Sequence, residues 1–182
     1  AENRLLWRKS PSRMEAEVLR DSILSVSGQL NPQIGGGPYR DFETFTFNTQ
    51  FYTPIDPDTP DAYRRTVYRT WVRSGRNYLL DAFDCPDPST TAPQRAVTTT
   101  PIQSLALMNG SFVLRMSERF AERVASDVGD DPAQQVERAI QLAFGRSPTA
   151  KETETLGSFS TKHGLDALCR VLLNSNEFIH VD

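Results

Sequence analysis

The chain has 182 residues, 38% of them hydrophobic, with 20 basic and 23 acidic side chains and a net charge of −3. A domain of this length buries about 70% of the surface its unfolded chain exposes, so it folds without a metal or disulfide staple. That composition, with a mean hydropathy of −0.46, excludes a wholly disordered chain, and no apolar run approaches the ~20 residues of a membrane helix, so no membrane insertion is expected. A protein that lives by neutralising phosphates is basic overall or carries a dense basic patch, so nucleic acid is not an expected partner. Ala1-Glu2-Asn3-Arg4 lacks the apolar core of a secretory leader, which fits either a cytoplasmic protein or a segment of a longer one.

In chain order, Ser12 to Glu15 has capping-box spacing behind Pro11, and Met14, Val18, Ile23 and Val26 recur at helical intervals up to Gly28. Asn31-Pro32 and Gly35-Gly36-Gly37-Pro38 form a turn-rich loop. Phe42 to Phe47 reads as a strand with Phe45 and Phe47 on one face. The segment from Pro54 to Pro60 cannot be regular structure. Tyr63 to Trp71 alternates aromatic and β-branched residues with arginine and reads as a second strand, pairing antiparallel with the first.

Beyond Asn77 the pattern is helical. A short helix covers Tyr78 to Phe83, and the proline-rich stretch from Cys85 to Val97 reads as an ordered irregular loop. Thr100, with Pro101 and Gln103, caps the next helix, which Asn109-Gly110 ends. Ser111 restarts one with the stripe Val113, Met116, Phe120 and Val124; Asp131-Pro132 opens another that ends at Gly145. Thr149 and Glu152 form a further capping box, and Leu165 to Leu173 is the last helix. The expected architecture is a mainly helical α+β domain, residues 1–182, with one small antiparallel sheet and a long ordered proline-rich loop.

The carboxylates Asp81, Asp84 and Asp87 lie close in sequence and suit a cation or an acid/base pair, but their spacing is not that of a calcium loop. Turn and cap duty around Pro86 and Pro88 is the favoured account of Asp84 and Asp87. Arg95 is placed to bridge back to one of them. The arginines between Arg64 and Arg76 divide between two strand faces, which favours ion pairs with Asp56, Asp58 and Asp61 over a nucleic-acid surface. His163 and His180 lack a partner at metal-ligand spacing, so no metal is expected. Cys85 and Cys169 lie far apart in sequence, and they pair only if the fold brings their Cα atoms within about 7 Å. Cys169 sits on an apolar helix face, which favours a buried free thiol. The chain has no C-x-x-C-H, so it attaches no haem itself.

The stretch YRRTVYRTWVRSGRNYLLDAFDCPDPSTTAPQRAVTTTPIQSLALMNGSFV, flanked by RMEAEVLRDSILSVSGQL and LCRVLLNSNEFIHVD, resembles the planctomycete-specific domain of unknown function DUF1553. The resemblance covers nearly the whole chain. It implies the C-terminal part of a large exported protein, often joined to a cytochrome-c-like segment and sometimes to a carbohydrate-binding module. An extracytoplasmic, periplasmic or cell-surface location follows from that resemblance alone. No catalytic residue comes with it, and any haem would belong elsewhere in the parent.

Three functions fit this sequence. The first is a non-catalytic helical module that packs against neighbouring domains of the parent. The second is a carbohydrate-binding or polysaccharide-degrading domain, with Trp71 as a stacking platform, Asp84 or Asp87 doing acid/base work and Arg95 beside them. The third is an accessory to a c-type haem electron-transfer module.

Overall fold

The computed structural model describes residues 10–181, so the leader reading at Ala1 to Arg4 lies outside the described residues. In chain order the elements are β1 (Ser12–Arg13), α1 (Ala16–Val26), β2 (Phe42–Phe47), β3 (Thr49–Pro54), α2 (Tyr78–Ala82), α3 (Pro101–Asn109), α4 (Ser111–Val128), α5 (Pro132–Phe144), α6 (Ala150–His163), α7 (Leu165–Leu173), α8 (Asn176–Ile179) and β4 (His180–Val181). It is a helix-dominated α+β fold.

The helical half follows from the apolar spacing. In α4, Val113, Met116, Phe120 and Val124 make one buried stripe, because side chains three and four residues apart share a helix face. That stripe joins Leu168 and Leu172 of α7 and Val136 and Ile140 of α5 in one core. Complete burial of a side chain such as Phe120 stabilises by about 1.5–3 kcal/mol relative to exposure. Local capping sets the ends: Asp131 accepts from the Ala133 amide at 2.9 Å, and Thr149 and Glu152 form a reciprocal box. Gly145 closes α5 at φ 71°, a left-handed conformation that costs a Cβ-bearing residue strain. Helix α1 buries Leu19, Ile23 and Leu24 against the same core.

Two expected features do not form. The Ser12 capping box is absent: Ser12 and Arg13 pair antiparallel with Val181 and His180, and the Met14 amide donates to the Ile179 carbonyl at 2.8 Å. This pairing holds the chain extended as far as Glu15, which becomes the N-cap without a side-chain cap bond. The strand over Tyr63 to Trp71 is replaced by isolated bridges, Asn31 to Arg64 and Tyr39 to Arg69, around a single 3-10 turn at Thr66–Tyr68. Side chains of α1 capture this backbone instead. Asp21 Oδ1 accepts from the Thr66 amide at 2.8 Å, and Arg20 donates to the carbonyl oxygens of Ala62 at 2.6 Å and Arg64 at 3.2 Å.

The partner of β2 is β3, with Phe42 opposite Pro54 and Phe45 opposite Phe51. Asn48 makes the turn at φ 58°, a conformation Asn tolerates better than most residues. Closing a hairpin locally costs less loop entropy than pairing with a segment some twenty residues on. On one face Phe42 is buried and meets Tyr52 edge to face at 5.2 Å. The other carries Phe45, Phe47 and Phe51, all exposed.

Candidate functional site

A cleft of about 240 Å³ lies between α1, the segment from Pro54 to Tyr63, α2 and the junction of α3 with α4. Its walls are mostly apolar, including Ile55, Leu79, Ala106, Phe112 and Val113. Gly110 lets α4 begin directly after α3, since a Cβ there would meet the Ala106 carbonyl oxygen at 2.5 Å.

Three charged side chains line this cleft. Asp41 receives Arg69 Nε at 2.8 and 2.9 Å and Asn77 Nδ2 at 2.7 Å. Asp56 receives the Ser111 hydroxyl at 2.7 Å and Arg115 Nη2 at 2.6 Å. Arg20 is different. Its guanidinium is buried between the rings of Tyr39 and Phe112, each 5.3 Å from its carbon. It donates to the Ala62 and Arg64 carbonyls and to Thr66 Oγ1, and its nearest carboxylate, Asp21, stands 3.8 Å away. The Tyr39 hydroxyl is buried and has no partner among the described residues. Burial pushes the Tyr39 phenol above its usual range, which keeps it a donor near neutral pH.

The residues singled out in the sequence fall in two places. Asp84, at φ 61°, accepts from the Thr98 amide and hydroxyl at 2.8 Å each and from Arg13 Nη2 at 2.7 Å. Burial pushes its carboxyl up, but those donors outweigh burial and hold it below the usual range. Arg95 does not reach an aspartate of the loop: it forms a two-pronged pair with Glu17, both bonds at 2.8 Å, because the loop crosses the start of α1. Asp87 is exposed and accepts from the Ser89 amide at 2.7 Å, an Asx turn. Trp71 is part-exposed, with the Arg69 guanidinium 4.6 Å from its ring centre. It shares a small hollow with Asp81, Cys85 and Asp87.

A family model described as "Protein of unknown function (DUF1553)" matches residues 1–160. The chain belongs to this family. No curated protein and no solved structure matches it.

Within this DUF1553 chain the arginines expected to pair with Asp56, Asp58 and Asp61 take other partners: Arg65 faces Asp21, Arg69 Asp41 and Arg76 Asp81. Arg64 and Arg69 are buried; Arg64 donates to the carbonyls of Gln33, Gly35 and Gly37, and Asp56 pairs with Arg115 of α4. Buried arginines satisfy loop carbonyls that a strand ladder would otherwise have taken. Both cysteines are free thiols. Among the described residues no three His, Cys, Asp or Glu side chains gather at a metal-binding distance, and no helix is long and apolar enough to cross a membrane. Arg20 and Tyr39 had no signal in the sequence, since neither belongs to a motif and only tertiary folding brings them together.

Proposed function

We propose that this chain is a non-catalytic helical interaction module of an extracytoplasmic multidomain protein, holding neighbouring domains of its parent in place. The observation that carries this reading is a pair of exposed apolar surfaces almost empty of charge. Helix α3 presents Ile102, Leu105 and Met108, 65%, 58% and 38% exposed, at three-residue intervals. The hairpin presents Phe45, Phe47 and Phe51, 64%, 66% and 53% exposed. Helix α3 contains no charged residue, and β2 and β3 together carry only Glu43. Surfaces rich in aromatic and large aliphatic side chains and poor in charge favour burial against a partner. The carboxylates of the loop, meanwhile, are engaged in holding backbone and arginines. In this reading a haem, where the parent has one, sits in another domain, and this chain needs no cofactor of its own.

Hydrogen–deuterium exchange on the isolated chain and on the full parent tests the proposal. It requires added protection at α3 and at the hairpin in the parent, and loss of that protection in Leu105→Glu or Phe51→Glu. Equal exchange in both contexts would sink it.

A second reading, a polysaccharide-binding domain, draws on the partly exposed Trp71 beside Asp81 and Asp87; their hollow, about 20 Å³, holds no sugar, so a chain would lie across the surface of the ring. Titration calorimetry with soluble polysaccharides, against Trp71→Ala, decides it.

A further inference from the structure

We propose that the cleft between α1 and α4 is a binding site for a small aromatic carboxylate, with Arg20 as the group that recognises its head. This inference uses residues separate from the docking surfaces above and stands or falls independently of them.

Size comes first. The cleft is about 240 Å³, and a cavity of about 150 Å³ holds a benzene ring. One ring with a short substituent therefore fits, and a sugar chain does not. The lining selects an apolar body: Pro54, Ile55, Ala62, Leu79, Ala106 and Phe112 supply it.

The charges select the head. Of the three ionised groups on the wall, Asp41 and Asp56 are each matched by a hydrogen-bonded arginine, Arg69 and Arg115. Arg20 is the remaining cation. Its hydrogen bonds, from Nη1 and Nη2, all go to neutral oxygens. Asp21, the nearest carboxylate, turns Oδ1 toward the Thr66 amide and hydroxyl at 2.8 and 2.7 Å. Tyr39 lines the same cleft, and its hydroxyl is buried without a partner among the described residues. A buried guanidinium whose hydrogen bonds go only to neutral oxygens favours an anionic acceptor, and a carboxylate supplies two oxygens. Tyr39 and Phe112, whose rings meet the guanidinium, both line the cleft and add aromatic surface to it. Pockets of this build, apolar with a few convergent polar groups, orient small ligands by those groups.

The test uses the intact chain and three probes of one shape: benzoate, benzamide and benzylammonium. Calorimetry and thermal melting are expected to show benzoate binding, at least about tenfold tighter than benzamide, as a charge-assisted bond requires, and no binding of benzylammonium. Arg20→Gln removes the recognising cation but also three bonds that hold the chain. Tyr39→Phe is the cleaner variant, because deleting a buried hydroxyl without a partner costs the fold little. It should melt no lower than wild type and bind benzoate about tenfold more weakly. Ala106→Met, which fills the cleft, should abolish binding. Equal affinity for benzamide, unchanged binding in Tyr39→Phe, binding that survives Ala106→Met, or no benzoate binding at all would each overturn the proposal.

Discussion

Arg13 and Asp84, 71 residues apart in the chain, meet in a 2.7 Å ion pair that is largely shielded from water. Arg13 also donates to the Thr98 carbonyl, and Asp84 accepts from the Thr98 amide. One salt bridge therefore ties the N-terminal strand, the end of α2 and the far end of the proline-rich loop. Prolines 86, 88 and 93 reduce the freedom of that loop in the unfolded chain, and the Asp84 bonds fix where it lands.

Substitution of Asp84 by Asn keeps the shape and tolerates φ 61°, but it removes the charge that Arg13 faces. We expect a loss of about 2 kcal/mol, in the range for hydrogen bonds to charged groups. Arg95→Ala is expected to cost less, about 0.5–1 kcal/mol, because its pair with Glu17 is partly exposed. Thermal melts of single and double variants check both. Asp84 and Arg13 should couple, whereas Asp84 and Arg95 should add independently.

Local chemistry was legible in the sequence and long-range capture was not. The ends of α3, α5 and α6 follow from caps within four residues of each end, so Thr100, Asp131, Gly145 and Thr149 were readable directly. The segment from Tyr63 to Trp71 misled because alternation of arginine with aromatic residues looks like a half-exposed strand. In the fold Arg64 and Arg69 turn inward, and side chains of α1 take over its backbone bonds. The candidate site divided in the same way. Asp84 and Asp87 were visible as loop carboxylates, but the choice of Arg13 over Arg95 as the partner of Asp84 depends on β1 pairing with β4. The cleft at Arg20 is assembled from segments spread over some ninety positions and left no local signature.

Helix α3 offers a controlled comparison within a few residues. Leu107 is fully buried and Leu105 largely exposed. Leu107→Ala should cost about 2–5 kcal/mol through lost burial and the cavity left behind. Leu105→Ala should stay within about 0.5 kcal/mol in the isolated chain. Denaturant unfolding of both variants measures the difference, and comparable losses would mean that α3 packs by its other face.

The Cys85 thiol is pushed up from 9.0 to about 12, by burial first and then by the Glu17 carboxylate, to which its Sγ donates at 3.6 Å. Near neutral pH its thiolate fraction is therefore far below that of an ordinary thiol. Reaction of the folded chain with a thiol-exchange reagent at pH 8 should be slow at Cys85 and rise severalfold in Glu17→Gln. Rapid labelling of the native wild type would contradict this environment.

Acid should weaken the link between α5, α6 and α8 in a defined window. Arg146 donates to Glu152 at 2.7 and 3.0 Å and to Glu177 at 2.6 and 2.8 Å. These bonds, with the Thr149 amide, hold the Glu152 carboxyl down from 4.5 to about 2, and Arg146 lowers Glu177 as well. A carboxyl whose folded pKa lies below its unfolded one contributes stability that is complete above 4.5 and lost as the pH falls toward 2. The cluster is exposed, so its contribution is modest and weakens in salt. Glu152→Gln should therefore be less stable than wild type at pH 7, with the two melting temperatures converging between pH 4.5 and 2. A gap that stays constant across that window would show that Glu152 acts through its capping bonds to Thr149 and not through its charge.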